Sequence, residues 1–114
     1  MNKSAMIDKL NQAVALELGA VLQYSHYAHM VTGTERRIWH EFFEKTADEA
    51  LLHSRRFAAK VVALGGIPTT DHDPVKPAAT LDEMLHHSLA VERRAVEVYS
   101  QAADLAQDHA GYRS

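Results

Sequence analysis

Cysteine is absent from the 114 residues, which excludes a disulfide framework, a thiolate nucleophile and a zinc finger. Proline is scarce, and its three copies, Pro68, Pro74 and Pro77, crowd into one short stretch. No apolar run approaches the length needed to span a membrane, and Met1-Asn2-Lys3-Ser4 leads into an amphipathic pattern rather than a signal core. Basic excess is also missing: 12 Lys and Arg against 15 Asp and Glu give a net charge of −3. Nucleic acid and acidic membrane surfaces are therefore not expected as partners. The pairs Arg36-Arg37, Arg55-Arg56 and Arg93-Arg94 sit among acidic residues and read as solvated helix faces. A single cytoplasmic domain over 1–114 is the expectation, since 46% hydrophobic residues suffice for one core.

What the chain does contain is helical periodicity. From about residue 4 to 31 a stripe of Leu10, Val14, Glu17, Val21, Tyr24, Ala28 and Val31 recurs at spacings of three and four. Thr32-Gly33-Thr34 breaks it, with Thr34 expected as N-cap of a second helix over about 35–64. So short a connection makes these two helices antiparallel neighbours. Gly65-Gly66 and Pro68 end the second helix and open a linker over 65–79 that holds every proline. A linker this long can run the length of a bundle, leaving a third helix, about 80–109, parallel to the second. That helix opens on the capping box Thr80-Leu81-Asp82-Glu83 and carries the stripe Leu81, Leu85, Ser88, Glu92, Ala95, Tyr99, Ala102, Ala106. No strand signal and no internal repeat is found. The fold class expected is all-α, a bundle of three long helices.

Glu17, His53 and Glu92 each interrupt an otherwise apolar stripe near the middle of a helix, and Glu49 lies one turn before His53. A buried carboxylate costs several kcal/mol unless paired, protonated or bound to a cation. Taken singly, each glutamate could pair with an arginine and His53 could be a hydrogen-bonded core histidine. Taken together, at matching depth, they make a shared metal ion a candidate, with Glu17, Glu49, His53 and Glu92 as ligands. Carboxylate and imidazole without sulfur suit iron or manganese, and less specifically zinc. Tyr24, two turns past Glu17, either hydrogen-bonds a ligating carboxylate or is simply a core tyrosine. His26, His29, His40, His72, His86 and His87 are expected at the surface or in the linker.

The chain also resembles the bacterioferritin branch of the ferritin-like superfamily. The likeness is carried by Leu10-Asn11 through Glu17-Leu18, Gln23-Tyr24, the helix with Asp48-Glu49 and His53, the terminator Leu64-Gly65-Gly66-Ile67-Pro68, and Glu83-Met84-Leu85 leading to Leu89-Ala90-Val91-Glu92. The resemblance implies a four-helix bundle with a di-iron centre that oxidises Fe(II), a ferroxidase, and in cage-forming members stores Fe(III). Carried over by position, Glu17, His53 and Glu92 are the ligands of the first three helices and Tyr24 is the tyrosine behind them. Two departures stand out: Ala50 occupies the glutamate position of the Glu-x-x-His pattern, with Glu49 one residue away, and Leu51 replaces the axial methionine, so haem is not expected. The fourth helix of the family is missing from these residues, so we expect an incomplete di-iron site and an apolar groove buried in a homo-oligomer. The alternatives are a non-catalytic helical assembly module that has lost its metal, and an oxygen-activating di-iron enzyme acting on an organic substrate.

Overall fold

The computed structural model describes the backbone of residues 2–110 and the side chains of 2–107. Three helices account for most of it: α1 (Lys3–Met30), α2 (Arg36–Ala63) and α3 (Leu81–Ala110), each within one residue of its expected start. The all-helical architecture expected from periodicity is the one observed, with no strand among the described residues. The expected stop of the third helix runs into Gly111, which lies outside the described residues.

The ends of the helices follow from local chemistry. Asn2 caps α1, its side-chain oxygen accepting from Ala5 N at 3.0 Å. Residue Thr34 does not cap α2; Glu35 does, and without a side-chain hydrogen bond. The reason is the turn itself: Gly33, at φ 97°, presents its carbonyl to Arg36 N, so a backbone group does what the threonine hydroxyl was expected to do. Helix α2 ends in a glycine cap with two crossed bonds, Gly65 N to Val62 O and Gly66 N to Val61 O, each 2.9 Å. Gly65 takes the left-handed conformation that this cap needs, at φ 87°. The Thr80 capping box forms as expected: Glu83 N donates to Thr80 Oγ1, and Thr80 Oγ1 donates to Glu83 Oε1.

Helix α1 is the hub. At one end Tyr24, Tyr27 and Ala28 pack with Phe43 and Ala47 of α2 and with Met84 of α3. Toward the middle Ala13 and Leu16 meet Ala95 and Val98 of α3, and near the start Met6 and Leu10 meet Val61 of α2. Both later helices therefore run antiparallel to α1 and parallel to each other, as the long linker allows. Among the described residues no Cα of α2 comes within 8 Å of one of α3. A cleft is left between them, floored by α1 and bridged by side chains such as Phe57 and Tyr99, whose ring centroids are 5.1 Å apart.

The linker is strapped along the opposite side of α1. Asn11 accepts from Thr69 N and donates to Ile67 O; Ala15 O accepts from Asp73 N; Gln23 Oε1 accepts from Lys76 N; and Tyr27 donates to Lys76 O. These bonds satisfy a segment that, lacking helix or strand, has no internal ladder of its own. Gly19 permits the closest approach, since a Cβ there would stand 2.7 Å from Asp73 O.

Candidate functional site

Midway along the cleft lies a cavity of about 110 Å³ lined by Glu17, Tyr24, Glu49, His53, Glu92 and Tyr99. All five residues singled out in the sequence thus reach one cavity, and a sixth, Tyr99, joins them. Ala50 also lines it and is buried, so the position where the resemblance expects a glutamate does face the site.

Glu17 is the most enclosed of the charged groups, 5% exposed. Its Oε1 accepts a hydrogen bond from the Tyr99 hydroxyl and lies 3.7 Å from His53 Nδ1, beyond hydrogen-bond reach. Burial, and then the neighbouring Glu92 charge, push its pKa up from 4.5 to about 7. Tyr24 donates to Glu92 Oε1 at 3.0 Å, and burial together with the Glu92 charge pushes this phenol well above its ordinary range.

The two tyrosine–glutamate bonds are reciprocal. Tyr24 lies seven residues after Glu17 and Tyr99 seven after Glu92, two helical turns in each case. Because α1 and α3 are antiparallel, each tyrosine reaches the other helix's glutamate. The same spacing that drew attention to Tyr24 could have found Tyr99, which sequence reading left as a stripe residue.

Two sequence expectations need correction. The apolar stripe that His53 interrupts points to a buried imidazole, yet its side chain is 45% exposed; the buried face is Phe43, Ala47, Ala50, Ser54 and Val61, turned toward α1. Glu92 was placed within the packed stripe of α3, yet it is exposed, and Met84, Ser88, Ala95 and Val98 are buried instead. Both differences have one cause: α2 and α3 press on α1 and not on each other, so side chains aimed across the cleft stay open to water. Glu49 is exposed as well.

The donors present, carboxylate, imidazole and phenol, suit a hard or borderline cation. Among the described residues, however, no three His, Cys, Asp or Glu side chains converge closely enough to hold one. The cavity gathers candidate ligands on three helices without closing them into a coordination shell.

The model of the family described as ferritin-like domain matches residues 7–114. This chain belongs to the ferritin-like family. It is 26% identical over 109 residues to a bacterial ferritin of Pseudomonas aeruginosa, covering 96% of this chain and 71% of that protein. Among solved structures, a ferritin-like, diiron-carboxylate protein from Bacillus anthracis aligns with a TM-score of 0.91 and 31% identity, over 93% of this chain and 76% of that one. The bacterioferritin-related protein of Bacteroides fragilis, a dodecameric thioferritin, aligns with a TM-score of 0.83 and 26% identity, over 91% and 68%. The bacterioferritin resemblance first seen in short motifs therefore extends through nearly the whole ferritin-like chain. No helix among the described residues is long and apolar enough to cross a membrane.

Proposed function

We propose that this ferritin-like protein binds iron as its cargo in the cleft between α2 and α3, with Glu17, His53 and Glu92 as ligands and Glu49 as the outer carboxylate, and supports Fe(II) oxidation and iron storage in the cytoplasm. The observation that carries the reading is Glu17: a carboxylate sealed beneath a second carboxylate, with an imidazole 3.7 Å away. A buried acid so placed is held half protonated near pH 7, and a bound cation replaces that proton with a stronger counter-charge. Loading should accordingly strengthen as pH rises through about 7. Haem is not part of the proposal, since Leu51 holds the position of the axial methionine.

Homo-oligomeric assembly belongs to the same reading. The cleft continues past Phe57 into an apolar trough of about 550 Å³ that includes Met6, Leu10, Ala102 and Ala106, and apolar surface of this kind favours being covered. The dodecameric state of the Bacteroides relative supports assembly.

Anaerobic loading with Fe(II), followed by ICP-MS after desalting, tests the site. Bound iron should fall to near zero in Glu17→Ala and in His53→Ala; a wild-type stoichiometry near zero, or one unchanged in both variants, overturns it. A second reading, a helical assembly module without metal, is favoured by Ala50 and by the absence of three converging ligands among the described residues. Light scattering separates the two: a large closed shell supports storage, and a small metal-free dimer supports the module.

A further inference from the structure

On the linker side of the α1–α3 seam, a separate cavity of about 170 Å³ is bounded by α1, the linker and α3. It is large enough for a molecule about the size of benzene. Its walls are mostly apolar, with Leu16, Ala20, Pro74 and Val91 contributing. Its polar lining is dominated by donors: Lys76 from the linker, Arg94 and His87 from α3, and Gln23 from α1, against one carboxylate, Asp73.

Gln23 stands in the wall of this cavity. It is 2% exposed, and its Oε1 is committed to Lys76 N. That bond fixes the amide's orientation and leaves Nε2 buried with no hydrogen-bond partner. An unsatisfied buried donor is costly and uncommon in native proteins. Lys76 makes no ion pair among the described residues. Among the described residues Arg94 is held by an i,i+3 contact to Glu97 at 3.1 Å, both side chains about half exposed, a weak surface pair that leaves it room to turn.

We propose that this cavity binds a small organic monocarboxylate. Its carboxylate takes the charges of Lys76 and Arg94, and its short apolar body lies against Leu16, Ala20 and Val91. A bare inorganic anion would leave the apolar walls unused, and a dianion would face Asp73. Leu16, Ala20 and Val91 line this cavity and the metal-site cavity alike. Glu17 and Glu92 follow Leu16 and Val91 directly in the chain.

The test is a methyl NMR titration of the full chain with butyrate, using the neutral isostere butyramide as control. Saturable shifts of the Leu16 and Val91 methyls are expected with butyrate, and about five-fold weaker binding with butyramide or in the Lys76→Ala, Arg94→Ala double variant. Both substituted residues are exposed, so the variant should keep its fold, which circular dichroism checks. Shifts that rise linearly without saturating, or that are equal for butyramide and for the double variant, overturn the proposal and leave water as the cavity's occupant.

Discussion

The Tyr99 hydroxyl on α3 donates to Glu17 Oε1 on α1, while Tyr24 on α1 donates to Glu92 on α3. Each glutamate is thereby held by the helix opposite, and the two bonds fasten the α1–α3 seam at the level of the cleft.

Removing one of them has a measurable cost. Tyr99→Phe keeps the ring against Phe57 and deletes only the bond to Glu17, so urea denaturation should show a loss of about 1–2 kcal/mol. Glu17→Gln retains an acceptor for Tyr99, and combining it with Tyr99→Phe should give a non-additive cycle.

Stability of the metal-free protein should depend on pH with an unusual sign. Glu17 binds its proton more tightly in the folded chain, at about 7, than in the unfolded one, at about 4.5. Its contribution is therefore full below pH 4.5 and is lost as pH rises through 7, a fall on the order of 3 kcal/mol. Glu92 and Tyr99 from α3, His53 and Glu49 from α2, and Tyr24 from α1 share its cavity. Urea midpoints at about pH 5 and pH 8 measure the difference. Glu17→Gln should flatten the profile, and an unchanged slope in that variant would assign it to another group.

Ala50 offers a gain-of-function test. It is buried and faces the cavity lined by Glu17 and His53, so Ala50→Glu introduces the carboxylate that the Glu-x-x-His pattern calls for. Without metal this variant should be less stable than the wild type, by about 2–4 kcal/mol, because it buries a charge beside Glu17. Added Fe(II) should raise its melting temperature more than that of the wild type. Equal shifts in the two proteins would count against iron binding at this position.

Gly19→Ala tests the strap. The added Cβ would meet the backbone of Asp73, whose O, N and Cβ lie 2.7–3.0 Å away. A net loss of about 1–2 kcal/mol is expected even after the helix-propensity gain of alanine, along with faster hydrogen exchange at Asp73 N–H, which bonds Ala15 O.

Three helices, their order and the long parallel return were legible in the sequence because apolar periodicity, Gly65-Gly66, the three prolines and the Thr80 box all act locally. The candidate ligands were legible too, as charged breaks in apolar stripes. Their exposure was not. Whether His53 and Glu92 are covered depends on the distance between α2 and α3, which neither helix encodes by itself. Thr34 misled because a hydroxyl at the expected place competes with a glycine turn that offers a backbone carbonyl instead. Tyr99 was missed for want of an antiparallel partner: a tyrosine in a stripe shows its use only when Glu17 lies opposite. The linker's hydrogen bonds to Asn11, Ala15, Gln23 and Tyr27 leave no periodic trace.

With α2 and α3 each seated on α1, the protein is assembled along two seams, Phe43 through Val61 on one and Met84 through Val98 on the other, which meet in the core around Tyr24 and Tyr27. Among the cleft residues, the exposed Glu49 can change without disturbing either seam, whereas Glu17, Glu92 and Ala50 belong to cleft and seam at once. The α1 hub therefore ties most of the cleft's chemistry to the packing that holds the shape.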